Sequence, residues 1–173
     1  MSLKSVLKKS LFNWFHFTAR NKQVNLSAIF IADSAGKPMQ SVLTATAVQD
    51  RGLLGDRYYN KCGYWDPVEG CQLTLISAHD LQLAGRGNSI DFSNGSHRRN
   101  LLIEGIKTSA LEGRDFRIGD AIFSYEKPRP PCGYLNKIEG RGMAKALSYN
   151  SGICIRVIQG GLIKVGDGLE ILN

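Results

Sequence analysis

GICIRVIQG, residues 152–160, is a run of β-branched and apolar side chains closed by glycine at both ends. Such a segment reads as one short strand. Outward along the chain the same pattern recurs in LSAIFIA (26–32), QSVLTATAV (40–48), CQLTLISA (71–78), RNLLIEG (99–105) and DAIFSYE (120–126), separated by Gly, Pro, Asp and Asn. Many short strands closed by turns predict an all-β barrel or sandwich. RIGDAIFSY from Arg117 and KVGDGLEIL from Lys164 each place a basic and a β-branched residue before Gly-Asp, and each Gly-Asp marks a turn into a strand. Two stretches inside this body look helical: 78–85, with Ser77 as a candidate N-cap, and 140–149.

With 173 residues, 43% hydrophobic and 21% charged, the chain suits one globular domain with a full core. It contains no apolar run of the roughly 18–20 residues that span a membrane and no signal-peptide pattern, so a cytoplasmic location is expected. The four cysteines, Cys62, Cys71, Cys132 and Cys154, lack C-x-x-C spacing, and with three histidines they do not spell a zinc site. In a reducing compartment they are free thiols, and the ordinary role of any one is a small buried hydrophobe.

The net charge of +7 is uneven: residues 1–22 carry Lys4, Lys8, Lys9, Arg20 and Lys22 and no acid. A nucleic-acid binder would show a basic face across the domain, so this class is disfavoured. In the same stretch Leu3, Val6, Leu7, Leu11, Trp14 and Phe15 recur at helical spacing, with Lys4, Lys8 and Asn13 elsewhere on the wheel. Residues 1–22 therefore read as a basic amphipathic helix preceding a β domain over 23–173. Its apolar side has two candidate partners, the domain itself or an anionic membrane surface, and packing on the domain is the expected outcome.

Three segments carry chemistry. In KPRPPCGYL (127–135), Pro128, Pro130 and Pro131 force an extended loop just before Cys132, which predicts a partly exposed thiol rather than a strand residue. Lys127 and Arg129 beside it favour the thiolate, the form needed for metal ligation and for sulfur transfer. In HRRNLLIEG (97–105), Arg98 and Arg99 offer forked donors for phosphate, and Asn100 offers a donor and an acceptor for a heterocycle edge. In GLLGDRYYN (52–60), Asp56 and Arg57 follow a glycine turn beside two tyrosines.

Taken together, these segments resemble the MOSC family, the type of domain found at the C-terminus of molybdenum-cofactor sulfurases. GLLGDRY, QLTLI, RRNLLIEG, IGDAIF, PRPPCGYL and GICIRVIQGGLIKVGD follow the family's order from Gly52 to Asp167, and AIFIADSAGKPM extends the likeness towards Leu26. The resemblance implies a closed β-barrel of the pyruvate-kinase-barrel-like type with a few short helices. It also implies a pocket for a molybdopterin-type molybdenum cofactor. Cys132 would be the metal's protein ligand and the reactive centre. Arg98 and Asn100 would contact the cofactor, Arg57 would reach its phosphate, and Arg99 and Arg129 would complete the basic wall. Arg99 fills a place often taken by proline in eukaryotic reductase relatives, and Cys71 stands where a basic residue is expected.

The leading expectation is thus a molybdenum-cofactor-dependent oxidoreductase acting on N-oxygenated small molecules. One alternative is a sulfur carrier with a Cys132 persulfide for cofactor or metal–sulfur cluster assembly. Another is a non-catalytic binding or membrane-surface module working through residues 1–22. The chain has no aminotransferase-like domain, so bound pyridoxal phosphate is not expected. It also has no ferredoxin-like cysteine cluster, so electrons or sulfur would come from a partner protein.

Overall fold

The computed structural model describes residues 23–66, 70–87 and 89–173. The expected N-terminal helix lies outside the described residues. β1 (Asn25–Ile31), β2 (Gln40–Val42), β3 (Thr44–Val48) and β4 (Gly52–Leu53) open the domain. β5 (Leu73–Ser77), α1 (Ala78–Gly85) and β6 (Leu101–Glu104) follow as a parallel crossover, in which Leu75 pairs with Leu101. A parallel pair needs such a connection, because a tight hairpin returns antiparallel. Ser77 caps α1 by accepting the Asp80 N–H through its hydroxyl, as its sequence position predicts.

The second half contains β7 (Asp115–Ile118), β8 (Ala121–Pro128), α2 (Gly133–Glu139), α3 (Met143–Leu147), β9 (Ile153–Gln159), β10 (Gly161–Lys164) and β11 (Leu169–Ile171). α3 falls inside the expected 140–149 stretch, whereas α2 was not foreseen. No described helix is long and apolar enough to cross a membrane.

Eight strands form one sheet in the order β11-β7-β8-β9-β5-β6-β1-β2, and three form a second, β10-β3-β4. The expectation of a closed barrel is corrected here: mostly sheet is right, but neither sheet closes on itself. β11 is only three residues long, and contact from its end of the sheet to β1 is limited to the Asn25–Gly168 bridge and a few backbone bonds such as Leu26 N–H to Asp167 O. A ladder needs longer partners than that turn leaves. The chain passes between sheets at Leu43, between β2 and β3, and at Gly160, between β9 and β10. At the second crossing a Cβ on Gly160 would lie 2.9 Å from Ala47 O, and one on Gly161 2.6 Å from Asp120 O. Only glycine lets those backbones approach so closely.

Phe116 and Phe123 are cross-strand partners with ring centroids 5.8 Å apart, and with Leu26, Ile29, Leu73, Leu101 and Ile155 they fill the space enclosed by the sheets. Burying each such side chain is worth about 1.5–3 kcal/mol. On the opposite face of β5, Ile76 packs with Leu81, Leu135, Met143 and Leu147 of the helices. All five β5 residues are therefore buried. This second cluster pins α2, and with it the segment that carries Cys132.

Candidate functional site

One cavity lies between the Asp56–Asp66 segment, the 97–100 segment and the loop from β8 into α2. Its wall includes Arg57, Arg98, Arg99, Arg129 and Cys132. Five of the six residues singled out in the sequence converge there from segments up to 75 residues apart.

Each guanidinium is placed by hydrogen bonds that can be traced. Asp56 is fully buried; its carboxylate accepts the Ala32 and Tyr58 N–H groups at 3.0 and 3.1 Å and pairs with Arg57 Nη1 at 3.1 Å. Arg57 Nη2 also donates to Arg98 O at 3.0 Å, and its guanidinium lies 4.6 Å from the Tyr58 ring centroid. Burial opposes the charge of Arg57, but Tyr58 and Asp56 outweigh it and hold its pKa above the ordinary value.

Arg98 has φ +60°, a left-handed conformation that a non-glycine residue rarely adopts and that clusters at functional sites. Its Nη1 donates to Lys37 O and to the Glu139 carboxylate, the latter at 3.1 Å. Burial, followed by repulsion from Arg57, lowers its pKa. Arg98 donates through Nη1 alone among the described residues, which leaves Nε–H and Nη2–H for a ligand.

Arg99 differs from both. Nε, Nη1 and Nη2 donate to the carbonyls of Ser151, His97 and Arg129, and no carboxylate pairs with it among the described residues. Burial, the largest effect, lowers its pKa, yet a guanidinium remains protonated at any working pH. The cavity wall thus holds a buried cation that no carboxylate pairs with among the described residues.

His97, at the start of this segment, is completely buried; its Nδ1 accepts the Arg99 N–H at 3.0 Å, and its ring meets Phe30 edge-on at 5.2 Å. Burial, followed by Arg99, pushes its pKa down to about 3, so the imidazole is neutral and Nε2 carries the hydrogen. That hydrogen has no partner among the described residues.

Asn100 is the residue the structure does not bring to the cavity. Its Oδ1 accepts the Thr74 N–H and hydroxyl at 3.1 and 2.9 Å, and its Nδ2 donates to Phe30 O at 3.0 Å, tying β5 to β1. Cys71 is buried as well, with its thiol donating to Leu73 O at 3.4 Å, and burial pushes its pKa well up. It acts as a packed thiol rather than as part of the basic wall. Lys127 pairs in register with Cys154 within β8 and β9, away from the cavity lining.

Cys132 is half-buried, between Pro131 and the first residue of α2. Arg129 N–H donates to Gly152 O at 2.9 Å, which fixes the start of the proline loop, and Arg129 Nη2 reaches Tyr58 Oη at 3.3 Å. The far wall is aromatic: Tyr64 stacks on Tyr134 with centroids 3.6 Å apart, and Trp65 meets Tyr64 edge-on at 5.0 Å. Tyr64, Trp65, Tyr134 and Glu139 were not picked out from the sequence. The one local signal for the first two was a Tyr-Trp pair placed directly after Gly63 in a turn-rich segment.

The MOSC domain family model matches residues 68–170. No curated protein matches the sequence. Among solved structures, the YUAD protein from Bacillus subtilis is similar, with a TM-score of 0.71 at 16% identity over 86% of this chain and 95% of that one. YiiM from Geobacillus stearothermophilus has a TM-score of 0.63 at 17% identity, covering 87% of this chain and 75% of that one. YiiM from Escherichia coli has a TM-score of 0.57 at 20% identity over 88% and 69% of the two chains. At such identities these likenesses establish the shared fold.

Proposed function

This chain belongs to the MOSC domain family, and on that premise we propose that its cavity receives a molybdopterin-type molybdenum cofactor, with Cys132 as the protein ligand to the metal. The observation that supports this most is Arg99. A buried charge that no carboxylate pairs with is costly, and one that lines the same cavity as a half-buried thiol calls for an anionic ligand there.

The donor set fits the group. Arg98 retains two N–H directions, Arg57 and Arg129 add positive charge suited to a phosphate, and a thiolate is a soft ligand for a metal already held by sulfur. When bound, the cofactor supplies oxygen-atom transfer, and the substrate would be a small N-oxygenated compound. The chain's own residues bind and orient. The arginines hold the anion, Tyr64, Trp65 and Tyr134 supply aromatic surface in the same cavity as the thiol, and Asn100 acts as a positioning residue behind Arg99. Electrons would come from a partner protein. The partial exposure of Cys132 equally suits a persulfide carrier, and one set of measurements separates the two.

Protein produced in a molybdenum-replete host should contain bound molybdenum and a fluorescent pterin after release. Cys132→Ala should lower the molybdenum content about ten-fold or more, as expected when a protein ligand to the metal is lost. Cyanide-labile sulfur that depends on Cys132, without molybdenum, would replace the oxidoreductase reading with the carrier. Neither molybdenum nor labile sulfur in the wild-type protein would overturn both.

A further inference from the structure

Cys71 and Cys154, 83 positions apart, lie outside the cavity wall and are both buried. Both are free thiols, and their side chains hydrogen-bond each other. The way the chain enters β5 brings them together. β5 and β9 are antiparallel, with Leu73 opposite Ile155 and Thr74 opposite Cys154. Continued for two residues, that register would set Cys71 opposite Val157, but the ladder stops first: the Gln72 side chain, through Oε1, accepts the Val157 N–H at 2.8 Å. The backbone leaves the strand there and Cys71 folds back over its own chain, so that its sulfur lies 3.4 Å from Leu73 O and reaches Cys154. Cys154 alternates with Ile153 and Ile155, which point to the core. Its thiol therefore lies on the other face of the sheet, beside Thr74, whose hydroxyl bonds Asn100 Oδ1 at 2.9 Å.

We propose that Cys71 and Cys154 form a second thiol centre, separate from Cys132, which hydrogen peroxide converts reversibly into a disulfide bridging the start of β5 to β9.

A disulfide needs Cα atoms within about 7 Å of each other and side chains that converge. Thiols that already hydrogen-bond satisfy the second condition, and adjacent strands, about 4.8 Å apart, bring the first within reach of a small backbone shift. The two thiols are not equivalent. The Cys71 hydrogen bond, supported against burial by Arg129, Lys127 and Arg99, holds the Cys154 pKa below its ordinary value, whereas burial pushes that of Cys71 well up. Cys154 is therefore the nucleophile and Cys71 the resolving thiol. The Cys154 thiolate attacks one peroxide oxygen, the O–O bond breaks, and the hydroxide released takes up the proton that Cys154 lost, leaving a sulfenic acid on Cys154. The Cys71 sulfur then attacks the sulfenyl sulfur: the S–S bond forms, the S–O bond breaks, and the departing hydroxide takes the Cys71 proton. Together the thiols lose two electrons and two protons, and hydrogen peroxide is reduced to two molecules of water. Peroxide enters from the Cys71 side, which is 7% exposed and follows the exposed Gly70. In a reducing compartment the bridge forms under oxidant and is then reversed.

The full chain is treated with hydrogen peroxide, its remaining thiols are alkylated in denaturant, and the unreduced digest is mapped by mass spectrometry. The peptides that hold Cys71 and Cys154 should be joined, and dithiothreitol should separate them. Because the bridge closes a long loop, the thermal midpoint should rise by about 5 °C or more over that of the reduced protein. Cys71→Ala and Cys154→Ala, each verified as folded by circular dichroism in the reduced state, should lose both the link and the rise. The mapping of the wild-type protein needs neither variant. Cys71 and Cys154 that stay unlinked after peroxide, a link from either to Cys62 or Cys132, a link without a rise in midpoint, or a rise that persists in the variants would each overturn the assignment.

Discussion

Arg98, Arg99 and Asn100 are tied by side-chain hydrogen bonds to Phe30, Lys37, Thr74, Arg129, Glu139 and Ser151, whereas across the cavity the Cys132 thiol makes no hydrogen bond among the described residues. The two sides of one site are thus built on different principles. The 97–100 side is part of the fold, and its cations are fixed before any ligand arrives. The 129–132 side is a stiff loop ending in a thiol that contributes little to holding the domain together. Preorganised charge facing a replaceable nucleophile or ligand is the arrangement that lets chemistry be lost without unfolding.

The largest expected effect lies on the first side. Asn100→Ala leaves the Thr74 N–H, the Thr74 hydroxyl and Phe30 O without their partner in the interior, so it should destabilise by about 3–5 kcal/mol in denaturant unfolding. A loss below about 1 kcal/mol would show that water replaces the amide and would break the contrast between the two sides.

The contrast also explains what the sequence disclosed. Strand runs such as LSAIFIA, CQLTLISA and GICIRVIQG coincide with β1, β5 and β9 because alternation and turn residues are local properties. Ser77 was readable as a cap for the same reason. Arg57, Arg98, Arg99, Arg129 and Cys132 stood out because their motifs are contiguous, and the fold brings them together. α2 was hidden: three prolines and Gly133 dominate its approach, and it is held by Leu135 packing among the other helices, a long-range effect. The Tyr64–Tyr134 stack joins residues 70 positions apart, so no local pattern reports it. Asn100 shows the converse, since a residue type suited to a heterocycle edge is used here to join two strands. Barrel closure failed for a similar reason, because whether sheet edges meet depends on strand lengths that periodicity does not specify.

A middle-sized effect is expected from acid. His97 has a folded-state pKa of about 3, below the ordinary 6.5, so between those values the unfolded chain binds a proton that the native chain refuses. The stability contributed by the neutral imidazole is complete above pH 6.5 and falls as the pH drops towards 3, by up to about 1.4 kcal/mol per pH unit. Between pH 6.5 and 5, above the carboxylate range, the loss should be about 1–2 kcal/mol. His97→Asn offers an amide oxygen in place of Nδ1 to the Arg99 N–H and should flatten that slope. Equal slopes in wild type and variant, from denaturant titrations at several pH values, would remove His97 as the source.

The smallest effect, with the opposite sign, belongs to Cys132. It occupies the N-cap of α2 with φ −129° and ψ 166°, the extended geometry of a capping residue, yet its side chain makes no capping hydrogen bond. A hydroxyl at that position accepts from the first-turn N–H groups far better than a thiol, and serine is among the preferred N-cap residues. Cys132→Ser should therefore leave the fold intact and raise stability slightly, by about 0.5 kcal/mol, while it removes the soft sulfur that metal ligation or persulfide chemistry requires. Thermal unfolding measured alongside bound molybdenum and labile sulfur gives both halves of the result. A Cys132→Ser protein that unfolds more than about 1 kcal/mol more easily would mean that the thiol packs into the fold, and the two sides of the cavity would no longer differ in kind.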